Sequence, residues 1–432
     1  MTDTGASSST RRVILLGSTG SIGVQALEVL AHLNREHAAG RHPVHHEIVG
    51  LAAGANASAL LEQAFALGVR DVAIAHPNNA RPAPPGVTLR VGPDAAERLV
   101  REVDADLVLG AMVGSAGLPA TLAAIELGRD IALANKETLV AAGELVVSAA
   151  HASGVRLYPI DSEHSAMWQS LPDSVCPPCV VGPEVARIIV TASGGPFRDW
   201  PAQRIDAATP GEALAHPTWR MGAKITIDCA SLTNKALEVI ETRWLFGLPG
   251  ERIDVIVHPQ SIVHSFVEYT DGSVVAQLGA PDMRTPIQYA LTWPHRAPGT
   301  SRKMDFAALS RLDFEPPDTE RFPALGLAYD VIDKGGVSGA VFNAANEAAV
   351  AAFLDRRIPF GRITELSAGA LRSLVGDRVQ PPLTRLADVL DADRAAREHV
   401  ARALSGAAPD AVAVRAPAGA AAAEPHQGPT DA

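Results

Sequence analysis

Val13–Gly23 reads VILLGSTGSIG. A short apolar run ends in a turn punctuated by Gly17, Gly20 and Gly23, and the continuation SIGVQALEVLAHL places apolar residues at helical spacing. The reading is strand, tight turn, helix. Glycine lets such a turn close and lets backbone approach a pyrophosphate, while the helix start offers N–H groups that lack a partner inside the helix. The spacing is G-x-x-G-x-x-G, not the commoner G-x-G-x-x-G. The flanking strand and helix therefore carry the dinucleotide reading more than the glycines do; the alternative is a purely structural turn.

Outward from this turn, short apolar runs at 13–16, 47–53, 71–75, 106–110, 130–134 and 156–160 alternate with helical patterns. Alternation of this kind predicts an α/β fold, a Rossmann-like parallel sheet covered on both faces, with ligands at the carboxyl ends of its strands. This N-terminal, cofactor-binding domain is expected to span 12–160. Its second strand ends LAAGANAS, without a carboxylate. A carboxylate there would grip the ribose of NAD and repel a 2′-phosphate, so its absence favours NADP, although no Arg or Lys replaces it locally.

Residues 161–292 mix Gly-Pro loops (ASGGPF, LAHPTWRMG) with β-rich runs (RIIVTAS, RIDVIVH, SIVHSFVEY, SVVAQLG) and read as an α+β catalytic domain. A proline-bearing connector at 293–320 precedes a helical bundle at 321–404, where Gly376 stops RITELSAGALRSLVG. The polar start, 1–11, and the Ala-Pro-Gly-rich end, 405–432, read as disordered tails. At 432 residues and 47% hydrophobic, the chain supports two or three domains. Its net charge of -11 argues against general nucleic-acid binding. No apolar run suits a membrane span, and MTDTGASSSTRR lacks the core of a secretory signal, so a cytoplasmic location is expected. Three cysteines, Cys176, Cys179 and Cys229, fit a reducing compartment, and CPPC has no second pair with which to bind zinc.

Candidate chemistry gathers in the second region. In PIDSEHSA, an extended backbone would turn Asp161 and Glu163 to one face, a pair suited to a hard cation such as Mg²⁺ or Mn²⁺; a solvated acidic turn is the bland alternative. If SLTNKALEVIE is helical, Asn234 and Glu238 share a face and Lys235 lies beside Glu238. A surface helix would show the same pattern. Ser193, His216, Trp219 and Lys136, each taken alone, read equally well as ordinary loop or surface residues. Cys229, alone in IDCASL, is a candidate nucleophile.

Seven segments in order, GSTGSIG, LANKETLV, IDSEHSA, ASGGPFR, HPTWRMG, NKALEVIE and HPQSIVHS, resemble the 1-deoxy-D-xylulose 5-phosphate reductoisomerase family over about residues 12–404. The resemblance implies an NADPH-dependent homodimer with one divalent cation, Mg²⁺ or Mn²⁺, per active site. It would rearrange and reduce 1-deoxy-D-xylulose 5-phosphate to 2-C-methyl-D-erythritol 4-phosphate for isoprenoid precursors. Carried over by motif, Asp161, Glu163 and Glu238 would hold the metal. Lys136, Ser162, Glu163, Ser193, His216, Cys229, Asn234, Lys235 and Glu238 would meet substrate, with Lys136, Glu163 and His216 as catalytic groups. Thr19, Gly20, Ser21, Ile22, Gly54, Asn56, Asn135, Glu137 and Gly222 would meet NADPH. His216 and Trp219 would belong to a covering loop.

The sequence departs from the family pattern at Ala55, where relatives carry a basic or polar residue, at Ala236, where they often have glycine, and at Cys229, where they commonly have serine. Two other classes compete. A semialdehyde dehydrogenase would use Cys229 as nucleophile and leave the carboxylates idle. A non-catalytic NADP sensor would leave the polar loops without a task.

Overall fold

A computed structural model describes residues 9–406 apart from 80 and 173. The first unit runs β1 (Ser9–Leu16), α1 (Ser21–Ala38), β2 (Val44–Ala53), α2 (Ala57–Leu67), β3 (Asp71–Ile74), β4 (Thr88–Val91), α3 (Ala95–Glu102), β5 (Leu107–Gly110), α4 (Leu118–Glu126), β6 (Asp130–Leu133), α5 (Lys136–Ser153) and β7 (Leu157–Pro159). Its strands pair in the order β4-β3-β2-β1-β5-β6-β7, all parallel. Val13–Leu16 and Leu107–Leu109 are buried, as strands sandwiched between two helical layers must be. Strand order reverses between β1 and β5, so the crevice opens beside the glycine turn.

Two features differ from the sequence reading. Strand β1 begins at Ser9, so residues 9–11 are not tail; residues 1–8 lie outside the described residues, as does the expected C-terminal tail beyond Gly406. Strand β4 went unpredicted. It is only four residues long and contains Arg90, which is buried between Asp71 at 3.0 Å and Glu102 at 2.8 Å. A charge in mid-strand hides the apolar signal.

The second unit contains α6 (Ser162–Gln169), β8 (Val185–Ala192), α7 (Ala202–Asp206), α8 (Pro210–Ala213), α9 (Ala223–Ala230), α10 (Thr233–Phe246), β9 (Ile253–Val257), β10 (Val263–Tyr269), β11 (Val274–Leu278) and α11 (Arg284–Thr292). Its sheet order is β11-β10-β8-β9, with β8 and β9 parallel and the other pairs antiparallel. Helix α10 is buried from Thr233 to Thr242 although it carries Asn234, Lys235, Glu238 and Glu241. A polar helix survives such burial only when its charged groups find one another.

The predicted C-terminal helices are α12 (Ala324–Lys334), α13 (Ser338–Leu354), α14 (Arg362–Leu374) and α15 (Leu386–Ser405). An aromatic cluster joins the units: Trp168 of α6 lies 5.7 Å from Tyr158 of β7, 4.6 Å from Tyr289 of α11 and 5.6 Å from Trp293. It fixes the far end of α6 against the last strand of the parallel sheet. The 193–200 loop is held in the same way by the C-terminal region, with Phe197 5.0 Å from Phe360 and Arg321 Nη1 donating to the Arg198 and Trp200 carbonyls at 2.8 and 2.6 Å.

Helix α13 crosses α5 at Gly339, where any Cβ would run into the Val140 carbonyl oxygen. Gly339→Ala should therefore push the two helices apart and cost about 1–3 kcal/mol. A lowered urea midpoint is the expected result; an unchanged one would mean that the crossing has room to spare.

Candidate active site

The glycine turn is built as the sequence suggests. Gly17 has φ 86°, and a Cβ there would strike the Ala111 carbonyl. A Cβ on Gly23 would strike the Gly17 carbonyl, so the third glycine sets how closely α1 approaches the turn. Ser21, Ile22 and Gln25 of α1 then line one end of a cavity of about 530 Å³. Lys136, Asp161, Ser162, Glu163, Asn234, Lys235 and Glu238 also line it, as do Ser193, His216, Trp219 and Gly222.

Three helix starts converge there. Helix α5 begins at Lys136. Helix α6 begins just after Asp161, which caps it by accepting from Ser162 N at 3.0 Å. Helix α10 begins at Thr233. The expected extended backbone at 161–163 is thus a helix N-terminus, and Asp161 and Glu163 face the cavity as cap and second residue. Helix N-termini favour such carboxylates.

The charged groups interlock. Lys136 Nζ lies 2.6 Å from Asp161 Oδ2 and 3.1 Å from Glu238 Oε1, and donates to Asn234 Oδ1 at 2.7 Å. Lys235 Nζ donates to Glu163 Oε1 at 2.9 Å and to Glu238 Oε2. Asn234 Nδ2 donates to Glu238 Oε1 at 2.6 Å, and Ser162 Oγ to Glu163 Oε2 at 2.5 Å. Lys136 is 5% exposed, Lys235 3% and Glu238 1%, so neither lysine is a surface charge. Burial alone would lower the Lys136 pKa, but Asp161, Glu238 and Glu241 outweigh it and hold it well above the ordinary value. Burial would raise Asp161, yet Lys136 and His164 pull it below the usual carboxylate range. Glu238 goes the other way: burial and the charge of Glu163 push it up despite both lysines.

Behind this cluster, His164 Nδ1 sits 3.4 Å from Glu241 and 3.7 Å from Asp161, and Nε2 faces the Glu238 carbonyl at 3.0 Å. Burial opposes its protonation, but Glu241 and Asp161 raise it to about 9, while burial raises Glu241 to about 7.

The donor set suits a hard divalent cation. Asp161, Glu163 and Glu238 can each present one oxygen within 4.8 Å of the others. Asp161 Oδ2 is buried, and although Lys136 Nζ is near, the contact lies off hydrogen-bond angles, so that oxygen has no aligned donor. Buried carboxylates crowded together, one pushed towards protonation, are relieved by a cation. The turn at Gly17–Gly23 likewise fits a pyrophosphate, since it leads into the N-terminus of α1, which no side chain caps.

His216 shows its tautomer. Its Nδ1 accepts from Trp219 N at 2.9 Å and Thr218 N at 3.2 Å, which puts the ring proton on Nε2. Nε2 therefore donates to Ser193 Oγ at 3.0 Å, and Gly195 N donates to the same oxygen at 3.2 Å. Ser193 is left with its own O–H to donate into the cavity. Burial lowers the His216 pKa, so the ring is neutral near pH 7.

Some expected residues also have structural partners or lie outside the cavity lining. Asn135 is buried and spends its amide on the Met112 and Gly114 carbonyls and on Glu137. Glu137 pairs with Lys224 at 2.9 Å. Neither lines the cavity; both brace its walls, because the start of α5 turns them inward to the β5 loop. Thr19 and Gly20 lie in the glycine turn without lining the cavity, and Asn56 borders a separate groove at the end of β2. Gly54 accepts from His76 N at 3.0 Å.

Sequence reasoning missed several residues. His164 lies in IDSEHSA and Glu241 in NKALEVIE, each three residues from a candidate ligand, and that spacing is the signal the sequence offers for them. Lys224, which also pairs with Asp228 at 2.9 Å, and Arg284 on the cavity wall have no local signature.

Comparisons with known proteins find one family along most of the chain. Family profiles described as 1-deoxy-D-xylulose 5-phosphate reductoisomerase, its C-terminal domain, and DXP reductoisomerase C-terminal domain match residues 13–143, 157–246 and 278–399. The chain is 50% identical to the reductoisomerase of Mycobacterium avium over 411 residues, 94% of this chain and 96% of that protein. It is 50% identical to that of Anaeromyxobacter dehalogenans over 86% and 92%. Among solved structures, the Zymomonas mobilis enzyme in complex with NADPH superposes with TM-score 0.78 at 40% identity, covering 92% of this chain and 99% of that one. A DOX-P reductoisomerase in complex with NADPH, fosmidomycin and magnesium gives 0.81 at 33%, covering 91% and 98%.

Cys229 lines the cavity, yet burial pushes its thiol far up, with Lys136 only partly opposing and Glu238 adding to the rise. A thiol held protonated is a poor nucleophile. Iodoacetamide at pH 8 should label Cys229 much more slowly than a free thiol, as followed by peptide mass spectrometry. Fast stoichiometric labelling would restore the nucleophile reading.

Proposed function

The chain belongs to the 1-deoxy-D-xylulose 5-phosphate reductoisomerase family, and from that premise we propose roles for the residues of its cavity. The enzyme carries out the NADPH- and divalent-metal-dependent conversion of 1-deoxy-D-xylulose 5-phosphate to 2-C-methyl-D-erythritol 4-phosphate in isoprenoid precursor formation. One observation carries the assignment of roles: three ligand-type carboxylates and two buried lysines share one cavity with the helix that leaves the glycine turn.

Asp161, Glu163 and Glu238 would hold the cation, and Gly17–Ile22 would cradle the cofactor pyrophosphate, with Gly222 on the cavity wall. When bound, the cation supplies Lewis acidity at substrate oxygens and NADPH supplies hydride. The protein does the rest. Ser193 presents its free O–H, and Asn234 and Lys235 add donors, to the substrate phosphate. Cys229 stands beside them with a weak S–H donor. Lys136 keeps an ammonium proton at the carboxylate end, within reach of developing negative charge on oxygen. Glu163, bonded to the Ser162 hydroxyl, is the group placed to accept or return a proton. His216 orients Ser193 and, with Trp219, closes the cavity wall against water. Asn135 and Glu137 act on the cofactor through the loop they hold.

Either Mg²⁺ or Mn²⁺ satisfies an all-carboxylate set. The second copy of a homodimer finds a ready surface in edge strand β11, whose Val274, Val275 and Leu278 are exposed. Among the described residues no helix is long and apolar enough to cross a membrane, and all three cysteines are free, in keeping with a cytoplasmic enzyme.

NADPH oxidation should require 1-deoxy-D-xylulose 5-phosphate, stop with EDTA and return with Mg²⁺ or Mn²⁺; chelator-insensitive turnover would sink the metal assignment. Glu238→Gln should lose at least about a hundredfold in kcat and still bind NADPH with unchanged affinity. Cys229→Ser should keep kcat and hold or lower KM, since a hydroxyl is the better donor; loss of turnover would point to thiol chemistry.

A further inference from the structure

We infer that Arg81, from the loop after β3, is the residue that selects NADPH over NADH by meeting the 2′-phosphate. The inference rests on the family reading above and deepens it at one end of the cofactor. The acidic position at the end of β2 is vacated here by the sequence GANAS, and Ala55 offers nothing to a phosphate. A second groove of about 440 Å³ opens at that place, bordered by Ala55, Asn56, Ser58, Asn78, Asn79 and Arg81. It is separate from the catalytic cavity. In a parallel sheet of this order, with the pyrophosphate at the turn after β1, the adenosine ribose falls at the end of β2. The groove is where its 2′ position must lie.

Two bonds staple the β3 loop over the β2 end. His76 N donates to the Gly54 carbonyl at 3.0 Å, and Asn79 Nδ2 to the Ala55 carbonyl at 2.9 Å. Arg81 follows two residues later. Its guanidinium forms no hydrogen bond or ion pair among the described residues, whereas most arginines of this acidic chain are paired. No carboxylate borders the groove. An exposed, unpaired guanidinium in a groove otherwise lined by neutral amides, a hydroxyl and alanine is suited to a dianionic phosphate, which arginine can hold through two parallel N–H bonds.

The test is binding, independent of turnover. Full-length wild type, Arg81→Ala and Arg81→Lys are titrated with NADPH, NADH, 2′,5′-ADP and 5′-AMP by calorimetry. Because Arg81 is solvent-exposed, the expected loss in Arg81→Ala is about tenfold for NADPH and 2′,5′-ADP, at the low end for a charge-assisted bond. NADH and 5′-AMP should bind as before, which also shows the variant is folded, and Arg81→Lys should recover part of the difference. An unchanged NADPH-to-NADH ratio, or an equal loss of both, overturns the role of Arg81 while leaving the enzyme's reading intact. Wild type that binds neither dinucleotide overturns both.

Discussion

Five charged side chains, Lys136, Lys235, Asp161, Glu163 and Glu238, share one largely buried cluster, and the rest of the structure exists to make that tolerable. Any one of them alone at that depth would be strongly destabilising. Together they pair by charge, Lys136 with Asp161 and Glu238 at 2.6 and 3.1 Å and Lys235 with Glu163 at 2.9 Å and with Glu238. Such mutual satisfaction demands that three helix starts, from two different folding units, arrive in register. The aromatic contacts of Trp168 with Tyr158, Tyr289 and Trp293 do this for α6, and the crossing of α13 at Gly339 does it for α5. Remote apolar packing thus sets the distances on which the chemistry depends.

A second layer holds the first. His164 and Glu241 sit behind Asp161 and Glu238, and Lys224 ties Glu137 to Asp228, whose other oxygen accepts from Asn346 of α13. His164, Glu241, Asp228 and Asn346 are buried. Their task is orientation, and it explains why a helix as polar as α10 is buried on every side. The C-terminal helices, which contribute no residue to the cavity wall, reach it through Asn346 and through the Phe197–Phe360 contact under the 193–200 loop.

Much of this was legible in the sequence, for identifiable reasons. The glycine turn and its strand-helix frame are local, so VILLGSTGSIG predicted both their geometry and the parallel sheet. Asn234, Lys235 and Glu238 share a face by helix period alone. Asp161 and Glu163 were found for the wrong local reason: an extended backbone was expected, and a helix start turned out to face both inward. Burial was the quantity that could not be read. Lys136 opens a helix, where a lysine is ordinarily solvated, and only packing from the second unit seals it in. Arg81 is 26 residues from Ala55 in sequence, too far for a local motif at the end of β2 to include it; the β3 loop folds back over that end through bonds from His76 and Asn79.

The same distances make the proposed metal and phosphate subsites one network. Every carboxylate assigned to the cation is in contact with a lysine, and Lys235 and Asn234, assigned to the phosphate, are both bonded to Glu238. A carboxylate oxygen directs a given lone pair to an ammonium or to a cation, not to both. Lysine protons therefore become available to an anionic substrate to the extent that the carboxylates turn to a cation, and linkage makes the effect reciprocal. Ser193 stands outside this exchange, since its hydroxyl proton is freed by His216 and Gly195 whatever the carboxylates do. That independence matters at Cys229, where a weak donor stands in place of the serine expected from the family pattern: the proposed phosphate site keeps one pre-oriented hydroxyl, and its remaining strong donors are the two tied to the proposed cation site.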